Sequence, residues 1–183
     1  MNIFVTDPDP NKSAQVLPDK HVVKMPLETC QMLAVVYSKW YFNWGNDLLP
    51  KKDGTPYNTE KGAFRGHPCT IWAAENIYNT AWLIQHGFGL LEEYTHRYGK
   101  VHSCQKAMNA AEKVFEIKTG KTLLCHKKQH HLLLQGLMSS SMMQVLIFLL
   151  STKDIFHPNL GQHLIIFVTH LKNLYGYHEA YSI

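Results

Sequence analysis

With 183 residues, 45% of them hydrophobic and 17% charged, the chain can bury the core of a folded domain and does not belong to the disordered class. No stretch reaches the roughly 20 uninterrupted apolar residues of a membrane span, and the N-terminus lacks the regions of a signal peptide, so we expect a cytoplasmic protein with no membrane partner. The formal net charge of +4 assists an encounter with a polyanion but is too small to identify one.

Cysteine and histidine are both present, but they follow no disulfide or metal-binding pattern. The four cysteines are scattered, without the close pairs of zinc ribbons or redox dithiols. The 12 histidines include no pair at the spacing of metal ligands. We therefore expect reduced thiols, no bound metal and no cofactor.

Prolines divide the start of the chain into short elements. Residues 3–6 favour an extended segment, and the Asp-Pro repeat that follows prevents regular structure. Asn11 is the predicted cap of a short helix that runs to about Leu17, where Pro18 ends it.

A longer amphipathic helix is predicted from Asp19, which serves as its cap, to about Trp40. Its apolar residues recur every three or four positions and are expected to form one buried stripe: Val23, Leu27, Cys30, Ala34 and Tyr37. The polar residues between them are expected on a separate stripe: His21, Lys24, Glu28 and Gln31. Pro26 predicts a kink in the first turns, or a separate short helix there.

The middle of the chain predicts a long loop followed by two more helices. Residues 43–66 are rich in Gly, Pro, Asn, Lys and Asp, a composition typical of a loop. A long helix is predicted from near Pro68 to about Tyr98, with Gly99 as its C-terminal cap, and a further helix ends at about Ile117. These elements predict a mainly α protein, a single compact helical domain with long loops.

The sequence changes character after Cys125. Its apolar clusters follow no sustained periodicity, so we assign a helical domain to residues 1–125 and leave the structure of residues 126–183 open. The degenerate code allows the same codons, read in another frame, to encode an aromatic and basic helix end. A native tail and a frameshifted tail both stay open, and we expect the helical domain to fold at least partly without either.

The stretch from Asp19 to Glu28 carries the first candidate site. On a helix, His21, Lys24 and Glu28 lie on one narrow stripe, where an imidazole, an ammonium and a carboxylate can converge on a ligand. The same spacing also fits a solvated helix face with a Lys24–Glu28 ion pair. The residues alone leave both interpretations open.

Two further stretches place basic residues at helix ends. Arg65 and His67 precede the helix predicted near Pro68, where free main-chain N–H groups and the positive end of the helix dipole favour a phosphate. His67 can equally serve as the cap of that helix. Arg97 and Lys100 lie at its predicted C-terminal end, where their charges complement the dipole.

Taken in order, these stretches resemble the pyrimidine dimer DNA glycosylases of phages and bacteria, the repair enzymes also called endonuclease V. The likeness covers about residues 1–120 and consists of an Asp-x-His helix with a later glutamate, a Gly/His-Pro junction before an aromatic, and a helix end with Glu, Arg and an aromatic. The residues that carry it are Asp19, His21, Glu28, Gly66, His67, Pro68, Trp72, Glu92, Glu93, Arg97 and Tyr98.

The resemblance implies an all-helical enzyme that extrudes a nucleotide from double-stranded DNA carrying a lesion, attacks C1′ with an N-terminal amine and then cleaves the strand as an AP lyase. An α-amine has a pKa near 8 and is partly neutral at pH 7, whereas lysine is protonated. Glu28 is implied as the carboxylate that stabilises the cationic imine. Asn2 departs from the family's small second residue and normally leaves the initiator methionine in place, so Met1, Asn2 and Lys24 all stay open as the source of the amine.

The resemblance also implies a set of contacts to DNA or sugar-phosphate: His21, Arg65, His67, Arg97 and Lys100. We expect a monomer that acts in the cytoplasm, which is that of the host cell if a phage encodes the protein. Two alternatives come from other classes. One is a non-catalytic nucleic-acid-binding accessory protein on the same scaffold, and the other is a structural or host-interaction protein.

Overall fold

The computed structural model describes residues 2–7, 9–45 and 49–123. These ranges contain five α-helices and no β-strand, which confirms the mainly α prediction. The helices are α1 (Pro10–Gln15), α2 (Asp19–Tyr37), α3 (Pro68–Glu75), α4 (Ile77–Tyr98) and α5 (Gln105–Thr119). None of them is long and apolar enough to cross a membrane. The predicted tail over residues 126–183 lies outside the described ranges.

The first helix, α1, begins at Pro10 because Asp9, rather than the predicted Asn11, caps it. The Asp9 carboxylate accepts hydrogen bonds from the main-chain nitrogens of Asn11 at 2.9 Å and Lys12 at 3.4 Å. Proline suits the first position of a helix, where an N–H group has no helical partner. The side-chain acceptor and the proline together therefore set the start of α1.

The second helix, α2, is continuous across Pro26, so the separate short helix predicted there does not form. Asp19 is its first helical residue and Pro18 occupies the cap position without a side-chain hydrogen bond. The helix ends at Tyr37, before the predicted Trp40, because the backbone of Ser38 is extended. The predicted long loop follows, and its described part includes one isolated pairing between residues 50 and 56.

The predicted apolar stripe of α2 is wrong in its N-terminal half. Val23 and Leu27 are 45% and 42% exposed, whereas Glu28, which was expected on the polar stripe, is only 7% exposed. The reason is the chain's own start, since Asn2 and Phe4 lie against the Glu28 side of the helix. The remaining residues of the predicted stripe are buried as expected: Cys30, Ala34 and Tyr37.

The long helix predicted after Pro68 is two helices, α3 and α4, because Asn76 interrupts it. Asn76 has an extended backbone, with φ −160° and ψ 162°. Its side-chain oxygen accepts hydrogen bonds from the nitrogens of Tyr78 and Asn79, both at 2.9 Å, and so caps α4. Gly99 ends α4 with φ +63°, as predicted.

The core lies where α2, α3, α4 and α5 meet, and the extended N-terminal segment joins it. The largest fully buried side chains include Trp72, Trp82, Tyr37 and Phe115. Ile3, Phe4 and Val5 belong to the same buried cluster, with exposures of 2%, 6% and 3%. Because three consecutive apolar residues anchor this segment, the start of the chain is held beside α2.

Candidate active site

Glu28 and the start of the chain meet at the centre of the candidate site. The main-chain nitrogen of Asn2 donates a hydrogen bond of 2.8 Å to Oε2 of Glu28. Glu28 lies on the third turn of α2, and the anchoring of residues 3–5 in the core brings Asn2 to it. The structure therefore holds the beginning of the chain within hydrogen-bond reach of a nearly buried carboxylate. Met1, one of the predicted sources of the amine, lies outside the described residues.

Lys24 forms the ion pair with Glu28 that the sequence allowed. Its Nζ lies 3.2 Å from Oε1 of Glu28, one helical turn away, with the Lys24 side chain 70% exposed and that of Glu28 9% exposed. The pair differs from the solvated surface bridge considered above, because only the ammonium is in solvent. Each oxygen of the carboxylate thus faces a different nitrogen, one of a lysine and one of the main chain.

His21 lies beside this carboxylate, and one of its ring nitrogens has no hydrogen-bond partner among the described residues. Its ring contacts Phe4 edge-on, with the centroids 4.7 Å apart. Burial lowers the pKa of His21, the charge of Glu28 opposes this, and Lys24 lowers the pKa further. Nδ1 is buried and has no hydrogen-bond partner among the described residues. The ring is therefore neutral at neutral pH and keeps capacity for a proton or a ligand.

His67 enters the same site from the start of α3. Its Nδ1 accepts a hydrogen bond of 3.2 Å from the main-chain nitrogen of Cys69, so the predicted capping role is confirmed. Burial lowers the pKa of His67, and Glu28 opposes that shift. Because Glu28 acts on the rings of both His21 and His67, two separate elements converge on one carboxylate.

Arg65 lies on the exposed loop that precedes His67. Its guanidinium stacks over the ring of Trp40 at 4.2 Å, and its carbonyl accepts a hydrogen bond from the hydroxyl of Tyr41. Neither aromatic residue stands out in the sequence as part of a site, because both follow the end of α2 and belong to no periodic pattern. They hold a cation next to the junction at which a phosphate was predicted.

Arg97 has different surroundings. Its guanidinium contacts Asp19 at 2.8 Å and Glu93 at 2.7 Å, and it also donates to the carbonyl oxygens of Leu17 and Gln15 at 2.9 and 3.0 Å. The contacts with Gln15, Leu17 and Asp19 tie the end of α4 to the end of α1 and the start of α2. A phosphate would compete with four protein acceptors for this side chain.

The remaining features considered in the sequence are Lys100, the cysteines and the metal-binding groups. Lys100 is exposed just after the end of α4. Three of the cysteines, Cys30, Cys69 and Cys104, are free and buried. The described ranges hold no group of three or more histidine, cysteine, aspartate or glutamate residues arranged to bind a metal.

The site thus combines a buried carboxylate, the start of the chain, two neutral imidazoles and a cationic loop within a helical scaffold, which is an arrangement suited to acid–base chemistry on an anionic substrate. The family model for pyrimidine dimer DNA glycosylase matches residues 1–106, more than half of the chain. The chain belongs to the pyrimidine dimer DNA glycosylase family. That family acts on pyrimidine dimers in DNA. No curated protein and no solved structure matches the chain.

Proposed function

We propose that this protein is a DNA glycosylase with AP lyase activity, which removes UV-induced pyrimidine dimers from double-stranded DNA through an imine to an amine at the start of the chain. The observation that carries the proposal is the 2.8 Å contact between the Asn2 nitrogen and Glu28. An amine that attacks C1′ needs a carboxylate within hydrogen-bond reach or one water away. The family membership supplies the DNA lesion as the substrate.

The chemistry follows from an amine nucleophile. The neutral amine attacks C1′ while the N-glycosidic bond breaks, and the leaving base takes the bonding electrons and a proton. The amine then loses a proton and the sugar C1′–O4′ bond opens, with protonation of O4′, which leaves a cationic imine at C1′. Removal of a C2′ proton forms a carbon–carbon double bond to C3′ and expels the 3′-phosphate. Water finally hydrolyses the imine and frees the amine.

Glu28 is the group we assign to the charge that this reaction creates. A carboxylate on a side chain that is only 9% exposed interacts with a neighbouring cation more strongly than a solvated carboxylate does. It therefore stabilises the imine nitrogen that occupies the place of the Asn2 nitrogen or lies next to it. His21 and His67, whose pKa values are lowered by burial, supply neutral imidazoles for the proton transfers.

Lys24 is a weaker source of the nucleophile than the N-terminal amine. A lysine amine is almost wholly protonated at neutral pH, whereas an α-amine is partly neutral. The ion pair of Lys24 with Glu28 also requires the charged form, which is not nucleophilic. We therefore assign Lys24 to charge balance at the carboxylate, and we assign DNA or sugar-phosphate contacts to His21, Arg65, His67 and Lys100.

Borohydride trapping on duplex DNA with an abasic site tests the proposal, because reduction converts an imine into a stable adduct. The wild-type protein should give the adduct, and Glu28→Gln should not. Asn2→Ser, which allows removal of Met1, should also give it, because residue 2 then carries the amine beside Glu28. Lys24→Ala should keep the adduct. Salt-dependent DNA binding without any adduct would instead support the non-catalytic accessory protein.

A further inference from the structure

Phe64 is an exposed aromatic residue held in an unusual backbone conformation. Phe64 is 51% exposed, and the described ranges contain no phenylalanine, tyrosine or tryptophan that is more exposed. Its φ is +65°, a region that bulky side chains rarely adopt. A phenylalanine that is both exposed and in a left-handed conformation contributes little to the core, and such positions cluster at functional sites.

The loop around Phe64 is built to hold that conformation. The Arg65 nitrogen donates to the Gly62 carbonyl at 3.1 Å, and the His67 nitrogen donates to the Phe64 carbonyl at 3.0 Å. Trp40 anchors the loop, since its indole nitrogen donates a hydrogen bond of 2.7 Å to the Thr59 carbonyl. The backbone of Phe64 is therefore held by two consecutive turns and by the hydrogen bond from Trp40, which follows the end of α2.

Gly62 shows how closely the loop packs against the Trp40 ring. It also has a positive φ, +60°, and a Cβ added there would lie 2.8 Å from the Trp40 ring. A side chain at this position would push the loop away from the ring on which Arg65 stacks. The tight approach keeps Phe64 and Arg65 in one rigid unit.

This unit lies next to the candidate active site. His67 follows Phe64 by three residues and shares an electrostatic environment with Glu28. Arg65, the immediate neighbour of Phe64, is an exposed cation stacked on an aromatic ring. An apolar ring beside a cation matches DNA in two ways, because the cation faces a phosphate while the ring enters the base stack.

We propose that Phe64 is a wedge that enters the DNA base stack next to the lesion and occupies the space left by the extruded nucleotide, with Arg65 holding the adjacent phosphate. The inference rests on the proposed function for its DNA partner, but it concerns extrusion and not imine formation. Insertion of an apolar side chain compensates part of the lost stacking, which lowers the free energy of the extruded state. Phe64 is thus a positioning residue for the glycosylase reaction.

The test measures extrusion without chemistry. A duplex carries one thymine dimer, with 2-aminopurine opposite each thymine of the dimer in turn, and the full-length Glu28→Gln protein is added to saturation, as checked by fluorescence anisotropy. The fluorescence of 2-aminopurine should rise as the base stack opens. When Phe64→Ala is introduced into the Glu28→Gln protein, the rise in fluorescence should be at least about tenfold smaller at equal saturation of the DNA, because the wedge is absent.

Three further variants in the same Glu28→Gln background separate the wedge from the fold. Phe64→Gly should reduce the rise as strongly as Phe64→Ala while raising the melting temperature, because glycine adopts a positive φ without strain. Phe64→Trp should keep the rise. Ile117→Ala, which removes a 69% exposed apolar side chain on α5, should leave it unchanged.

The possible results are distinguishable. An undiminished rise with Phe64→Ala, or no rise with the parent protein at saturation, would overturn the wedge. Equal loss of affinity for damaged and undamaged duplex would also overturn it and make Phe64 a general DNA contact. A rise that depends on Phe64, together with no borohydride adduct in the wild type, would keep the wedge and reject the proposed chemistry.

Discussion

Glu28 on α2 and Arg97 on α4 are both charged residues of long helices, and their surroundings differ. The Glu28 carboxylate pairs with the exposed ammonium of Lys24 and faces the nitrogen of Asn2, and the nearby ring of His21 has a buried nitrogen without a described partner. The Arg97 guanidinium instead makes two ion pairs and two hydrogen bonds to main-chain carbonyls. The comparison teaches that two charged residues of family motifs can have different sets of partners, and we propose that Glu28 serves the chemistry while Arg97 serves the fold.

The largest expected effect comes from Glu28. Glu28→Gln should slow strand cleavage by roughly 10²- to 10⁴-fold, the range of acid–base groups, because it removes a charge and a proton acceptor but little volume. Binding to damaged duplex should stay within about twofold, which gel shift and single-turnover kinetics together measure.

Glu93→Gln is the matched control, since Glu93, like Glu28, is a partly buried glutamate paired with a cation one turn away on its own helix. It should leave cleavage nearly unchanged and lower only stability. Comparable losses of cleavage in the two variants would remove the distinction between the two regions.

His86 has no proposed role, so it shows what burial alone does to the pKa of a histidine in this fold. His86 is 2% exposed, stacks on Trp82 at 5.0 Å, and has no described partner for either ring nitrogen. Burial lowers its pKa to about 3. The unfolded state takes up a proton below about pH 6.5 while the folded state does not, so stability is fully present at neutral pH and falls as the pH falls towards 3.

We therefore expect His86 to remove about 3 kcal/mol of stability between pH 7 and pH 4. His86→Leu should abolish this part of the acid dependence and should be more stable than the wild type at pH 7, because it removes two unsatisfied buried nitrogens. Urea unfolding of both proteins at several pH values measures it. Parallel pH profiles would show that His86 is solvated or partnered.

Arg97→Ala should lower the free energy of unfolding by roughly 2 kcal/mol, because the partly buried Glu93 carboxylate and the Leu17 carbonyl lose a charged donor. The contribution of Asp19 to this value is small, since its side chain is 73% exposed. The slope of log affinity for DNA against log salt should stay unchanged, because the arginine's donors are used within the protein. A flatter slope in Arg97→Ala would make it a phosphate contact after all.

Arg65→Ala is the counterpart of that experiment and carries the smallest expected effect. Its side chain is exposed, stacks on the Trp40 ring and forms no ion pair with an acidic residue of the described ranges, so its loss should leave stability within about 0.5 kcal/mol. It should flatten the salt slope by about one unit, the value for one neutralised phosphate. Fluorescence anisotropy from low to moderate salt measures it, and an unchanged slope would return Arg65 to a surface role.

The local parts of the fold were predictable from the sequence. The start of α2 near Asp19, the cap of α3 at His67 and the end of α4 at Gly99 depend on neighbouring residues, so spacing and capping chemistry indicate them. Asn76 was missed because one capping residue inside a continuous apolar pattern is a weak signal.

The centre of the site was not predictable from periodicity. Asn2 and Glu28 are 26 residues apart and meet only because residues 3–5 enter the core. The same packing reverses the expected burial of Leu27 and Glu28, since an amphipathic pattern does not specify what covers the polar side of a helix. Helical spacing places Glu28 on one stripe with His21 and Lys24, but it does not predict that the start of the chain covers that stripe.

The central claim is that the amine at the start of the chain forms the imine beside Glu28. The measurement that tests it most directly is mass spectrometry of the borohydride-trapped adduct with abasic DNA, after proteolysis of the protein and digestion of the DNA. We predict that the sugar remnant lies on the N-terminal peptide, at the α-amine of Met1 or, after methionine removal, of Asn2. A remnant on Lys24, or no adduct at all, would contradict the account.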